Sequence, residues 1–211
     1  MKQLLLIFCI TTFFLKSVFA QDSVKTNPII FGEGYVGAAL AGLSGYYWGA
    51  NLNYQFKNNL FSFRFSTIPN LDLRIISPII PLPYFVDNGH ADEYSLLYGL
   101  RKIKDGHSFS FSVGVSYNYR LVNAYDYNNQ LLSQNKYNYA GLPFEFNVKW
   151  FKKDKRRYLI YYFFPVGKPT GFGRSIGFKL SGNVSKYSYL AIGLVGGLGY
   201  HKHYTTRNQL E

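Results

Sequence analysis

Four ionisable side chains of this sequence each stand between two large apolar neighbours. Arg64 lies between Phe63 and Phe65, Glu145 between Phe144 and Phe146, Lys149 between Val148 and Trp150, and Lys179 between Phe178 and Leu180. Glu93, Arg101 and Arg120 adjoin Tyr94, Leu100 and Tyr119 in the same manner. In an extended chain successive side chains point to opposite faces, so these charges share one face while the rings share the other. Cations and carboxylates gathered on an enclosed face have two uses. They pair into a salt-bridge network that fills the space, or they line a constriction that selects anions, which requires a lumen wide enough for water. Pairing is the favoured reading, because a desolvated charge left alone is costly.

Other residues offer chemistry only in isolation. "GEGYVG" places Gly32, Gly34 and Gly37 in a G-x-G-x-x-G pattern, but a dinucleotide site needs a helix after the third glycine and an acid about 20 residues on. Lys57 occupies that region and a strand pattern begins at Tyr46, so these glycines are read as wall positions where a strand bends or meets its neighbour closely. His201 and His203 suit a metal by spacing, yet no third ligand lies near them in sequence. "DNGHADE" gathers Asp87, His90, Asp92 and Glu93, read as the polarity of an outer loop. No catalytic residue, cofactor or metal is assigned.

The elements that carry the charges repeat one pattern. In "SFSFSVGVSYNYR", residues 108–120, Phe109, Phe111, Val113, Val115, Tyr117 and Tyr119 alternate without exception with small or polar residues. A period of two is a β-strand with one apolar face. "YYWGANLNYQF", "LFSFRFS", "EYSLLYGLRK", "GLPFEFNVKW", "RSIGFKL" and "YLAIGLVGGLGY" behave alike, and "IIFGEGYVGAALAG" supplies a Gly-rich first strand. Helical spacing is not found beyond the N-terminal segment. The turns at Lys57–Asn59 and Lys104–His107 are short, whereas the stretches Thr67–Asp92, which holds four of the eight prolines, and Val122–Asn138 are long and carry many polar residues, and are expected to be outer loops. Alternating short turns and long loops suit an antiparallel up-and-down transmembrane β-barrel. A ninth apolar run, "RYLIYYFFP" at 157–165, does not alternate. Even strand numbers are the rule for single-chain bacterial barrels. Eight wall strands are therefore expected, with 152–171 as a connection, and ten remain the alternative.

Composition fits lipid on the aromatic side. Aromatic residues make up 19% and charged residues 16% of the chain, the latter against about 25% in ordinary soluble domains. Residues 1–20 have Lys2, an apolar run from Leu4 to Leu15, and Val18 and Ala20 before a cleavage point, which is the form of a secretory signal. Its removal takes Lys2 and Lys16, lowering the net charge from +12 to +10, and takes the single cysteine, Cys9, so residues 21–211 hold no thiol. An exported basic chain seldom meets nucleic acid, so outer-membrane lipid is the expected partner, with an unidentified surface ligand or envelope protein beside it. Trp48, Tyr54, Trp150, Tyr187 and Tyr200, near strand ends, are read as interface girdles at the headgroup level. "KKDKRR" at 152–157 is read as a solvated turn.

Taken together, the signal, the alternating strands and "GLPFEFNVKW" resemble the small outer-membrane β-barrel (porin-like) family of Gram-negative envelopes, over nearly all of residues 28–204. The resemblance implies a barrel in the cell outer membrane and no enzymatic activity. It leaves open a structural or surface-binding role, a narrow porin, and a lipid-modifying enzyme. Intact-mass measurement of membrane-extracted protein should show a chain beginning at Gln21. Recovery of the protein in the soluble periplasmic fraction would contradict the barrel.

Overall fold

The computed structural model describes residues 28–43, 45–75, 83–126, 131–161 and 163–204. The expected signal segment, with Cys9, lies outside these residues. Ten strands appear: β1 (Ile29–Gly42), β2 (Gly45–Phe56), β3 (Asn59–Ile75), β4 (Pro83–Lys104), β5 (His107–Tyr125), β6 (Leu131–Phe151), β7 (Arg156–Ile160), β8 (Phe164–Thr170), β9 (Phe172–Ser185) and β10 (Tyr189–Tyr200). Eight of them close a barrel in the order β1-β10-β9-β6-β5-β4-β3-β2, and every neighbouring pair is antiparallel. β7 and β8 pair only with each other and stand outside the wall. The non-alternating run at 157–165 is thus the body of a separate hairpin, with Tyr161 at φ 47° near its tip. The barrel has eight strands, not ten.

Alternation sets the two faces of the wall. On β5, Ser108, Ser110, Ser112, Ser116 and Asn118 are buried, while Phe111 is 54% exposed beside Ser112 at 0%. β2 buries Tyr47, Asn51, Asn53 and Gln55 and exposes Tyr46, Trp48, Leu52, Tyr54 and Phe56. The hairpin turns that hold these strands in register are tight: Lys57 and Asp105 take φ 55° and 54°. A positive φ at the first central residue matches the right-handed twist of the flanking strands.

The described parts of the two long stretches expected as outer loops are strand, apart from Asp126. β3 and β4 remain paired from Asn59↔Leu100 to Ile75↔Pro83, and β5 and β6 from His107↔Trp150 to Tyr125↔Leu131. Their polar residues read as loop, but these paired segments lie against their own returning partners, and the ladder satisfies backbone groups whatever the side chains. Pro69, which cannot donate, sits at a register shift between Pro69 and Leu71. β3 to β6 run 17, 22, 19 and 21 residues, while β1, β2, β9 and β10 run 14, 12, 14 and 12. A membrane crossing takes about 9–11. One half of the wall therefore rises as two ribbons past the other half, at the end opposite the short turns.

Inside, the barrel is layered. Ile29, Phe31 and Leu60 pack together at the short-turn end, and Tyr35, Ala39, Tyr47, Ile68, Tyr189, Ala191 and Val195 pack toward the ribbon end. Between them lie the charges.

Candidate functional site

Glu145 is the centre of the charged layer. β6 holds it inward between Phe144 and Phe146, fully buried. Its Oε2 takes Lys179 Nζ from β9 at 2.9 Å and Arg64 Nη1 from β3 at 3.3 Å. Asn51 Nδ2 donates to both its oxygens at 3.3 and 3.2 Å, and Asn147 Nδ2 to Oε1 at 3.0 Å. Arg64 reaches on to Glu93, with Nη2 2.5 Å and Nε 3.1 Å from Oε1. The second oxygen of Glu93 accepts from Asn183 Nδ2 at 2.5 Å and from the Tyr189 hydroxyl at 2.9 Å. Ser95 donates to the first. Charge-assisted bonds of this kind are about twice as strong as neutral ones, which is how four ions tolerate burial together.

In the eight-strand ring, β2 stands opposite β6 and β4 opposite β10. The bonds Asn51–Glu145 and Tyr189–Glu93 therefore run across the full width of the lumen. Nearer the short-turn end, Lys149 Nζ binds Glu33 and lies 4.4 Å above the Phe31 ring. Four cations and three carboxylates are buried among the described residues: Arg64, Arg101, Lys149 and Lys179 against Glu33, Glu93 and Glu145. The cation in excess is Arg101. Its Nη1 donates to Gln55 Oε1 and to the His201 carbonyl, both at 2.8 Å, its Nε and Nη2 reach Ser108 Oγ at 3.2 and 3.1 Å, and its plane lies 4.7 Å from the Phe31 ring centre. Neutral acceptors and the face of a ring hold this charge in place of a carboxylate.

Two sequence expectations change here. Depth counted along each strand makes Arg101 a partner of Glu145, but Arg101 lies in the layer below. Across the ladder Arg101 stands level with Ser110 and Asn147, two residues nearer the short-turn end than Glu145. Arg120 belongs to the inward set by alternation yet takes no part in the salt bridges among the described residues. It is half-buried at the ribbon-end rim, with its guanidinium 4.2 Å from the ring centre of Tyr187. Tyr187, one of the girdle candidates, is half-buried and packs on Tyr137 and Tyr139 at 5.7 and 5.2 Å. Of the other girdle candidates, Trp48, Tyr54 and Trp150 are exposed on the outer face, and Tyr200 is half-buried there against Phe172 at 5.6 Å.

Sequence reasoning passed over Glu33, hidden in the Gly-rich first strand, although Phe31, Glu33 and Tyr35 alternate with Gly32 and Gly34 there. "GEGYVG" is wall strand throughout. Of the "DNGHADE" residues, His90 and Asp92 pair at 3.5 Å, and Glu93 turns into the lumen; all belong to β4 and not to a loop. His201 and His203 part company: the chain leaves strand geometry after Tyr200, and His201 is buried while His203 is exposed. The His201 ring lies 5.0 Å from Phe31 and 5.5 Å from Phe151, and neither nitrogen has a hydrogen-bond partner. Burial, with Lys149 and Arg101 close by, pushes its pKa down to about 3.

No family model matches this chain, and no curated protein matches it. Among solved structures it is similar to the N-terminal β-barrel domain of Pseudomonas aeruginosa OprF, at 11% identity and a TM-score of 0.48, over 82% of this chain and 98% of that one.

Two measurements probe the layer. Glu145→Gln leaves Lys179 beside a neutral amide and Arg64 with Glu93 alone, so unfolding in urea should show a loss of about 3–5 kcal/mol, the cost of breaking a buried pair. An unchanged midpoint would mean that the pairs hold nothing together. For His201, the unfolded imidazole titrates near 6.5 and the folded one near 3. As pH falls between those values the unfolded chain takes up a proton that the folded one refuses, so stability drops. His201→Gln should lessen that acid loss in detergent, and identical pH profiles for the two proteins would show the ring to be protonated freely in the fold.

Proposed function

We infer that this chain is an integral outer-membrane β-barrel whose filled lumen closes it to solutes. Its role is then in envelope structure or in binding a surface partner through its two ribbons. The observation that carries this reading is the inversion of inside and outside. The wall turns a belt of large aromatic and aliphatic side chains outward, as with Leu96, Val115 and Ile176 at 64, 62 and 64% exposure, and holds seven charged side chains, Arg64, Arg101, Lys149, Lys179, Glu33, Glu93 and Glu145, buried on its inner face. In water such a belt would be far beyond the patches that soluble monomers carry. In lipid it is what the solvent requires, and ring closure leaves no sheet edge unpaired in the hydrocarbon.

Closure of the lumen is supported by bonds that join opposite strands, because side chains fill the interior of a barrel of about eight strands. The ribbons support surface binding. Short turns mark the periplasmic side of such barrels, which puts the ribbons outside the cell. Tyr125 and Asn123 of β5 donate to the Asp87 carbonyl of β4 at 2.9 and 3.3 Å, so the two ribbons are tied into one surface. That surface is rich in Tyr, Asn and Gln along Gln134–Tyr139, residue types that recognise partners through rigid rings and adaptable amides.

The test has two arms. In planar bilayers the wild type should pass almost no current, and steady ion-selective conductance that Glu145→Gln alters would replace the closed lumen with a narrow porin. Phe111→Arg places a charge on the lipid face and should weaken folding into vesicles by about 2–4 kcal/mol. Insertion equal to wild type would mean that this face does not meet lipid.

A further inference from the structure

The β7–β8 hairpin is unlike the rest of the molecule in what it leaves uncovered. Tyr161, Phe163 and Phe164 are 79, 81 and 66% exposed, and Lys152, Lys153, Lys155, Arg156 and Arg157 lead into it. Its base rests on the outer face of the wall. The Tyr158 ring packs 5.6 Å from Phe172, which alternation places outward. Arg174, also outward, reaches the Tyr158 hydroxyl at 3.3 Å and the Leu159 carbonyl at 3.5 Å. An aromatic tip beside a basic run is the composition that settles at the boundary of headgroups and acyl chains. Arg174 on a lipid-facing surface needs that same level, since its charge is expensive any deeper.

Two connected hollows lie beside this contact. The larger is a groove of about 1140 Å³ along the outside of β1, β10 and β9. Gly32, Gly34 and Gly196 form its floor, and Trp150, Ile176 and Leu198 line it. At Gly34 and Gly196 an added Cβ would meet nothing within 4 Å, so the wall does not need glycine there for its own packing. The smaller hollow, about 180 Å³, is bordered by Arg156, Arg157, Arg174 and Lys152, with Asp154 the one carboxylate. Buried His201, whose nitrogens lack partners, also borders it. Phe151, Lys152, Tyr158 and Arg174 belong to both hollows, so a polar end and an apolar end adjoin.

We propose that this is a binding site for one anionic phospholipid of the periplasmic leaflet. Its phosphate lies among Arg156, Arg157, Arg174 and Lys152 against His201, and an acyl chain lies in the glycine-floored groove. The excess of cations at one end and the glycine positions flanked by Trp150, Ile176 and Leu198 at the other fit the two halves of that molecule and no purely polar ligand. The inference rests on the outer-membrane reading above. A protein that is not extracted with membranes fails that reading, whereas one that is extracted but holds no lipid fails this one.

The test is native mass spectrometry of the purified mature chain in detergent, titrated with phosphatidylglycerol or with phosphatidylcholine of the same acyl chains. Wild type should retain one phosphatidylglycerol and bind phosphatidylcholine roughly tenfold more weakly, as expected for loss of charge-assisted contacts. Arg156→Gln with Arg157→Gln should erase that preference. Gly34→Leu with Gly196→Leu fills the groove from outside, keeps the heat-modifiable migration of a folded barrel, and should abolish retention of either lipid. Equal retention by the groove-filled variant and wild type would overturn the proposal. So would absence of any bound lipid, or binding of inorganic phosphate in the smaller hollow that does not compete with lipid.

Discussion

A single carboxylate organises the interior of this barrel. Glu145 accepts from Arg64, Lys179, Asn51 and Asn147, which come from β3, β9, β2 and its own strand. Arg64 then carries the connection to Glu93 and, through Asn183 and Tyr189, to β9 and β10. A buried ion pair contributes little to stability against a well-packed apolar alternative, but it is severe on any arrangement that leaves one partner behind. In this barrel the apolar residues that do face inward form two separate clusters above and below the charges, so apolar packing does not itself join the strands across the middle layer. The cross-lumen network makes that join, and a slip of one residue in register would turn each of these ions to the outer face.

The wall around that network is uneven, and the unevenness separates roles. Strands β1, β2, β9 and β10 run only 12 to 14 residues, while β3 to β6 continue as paired ribbons. Arg120, Tyr187, Tyr137 and Tyr139 cap the junction between the low and the high side. At the other end, the connection between β6 and β9 does not simply turn back. It builds the β7–β8 hairpin, whose apolar tip has no protein surface against it among the described residues and whose base leans on the outer wall. One end of the molecule is thus polar and ribbon-like, and the other is basic, aromatic and set against the outer face of the wall.

The sequence by itself determined which side of each wall strand faces in. Period-two alternation is a local property, and once "FSFSVGVSYNY" or "LPFEFNVKW" is extended the facing of every side chain follows without reference to any other strand. That was enough for the fold class, the eight wall strands and the inward position of Arg64, Arg101, Glu145, Lys149 and Lys179. Partnership was another matter. Glu145 meets Lys179 and Arg64 but not Arg101, and Lys149 meets Glu33, because the register between strands and ring closure set depth, and neither is encoded within one strand. The same limit hid the ribbons and the β7–β8 hairpin: their side chains do not alternate cleanly, so only the pairing of one backbone with its returning neighbour decided that they are strands.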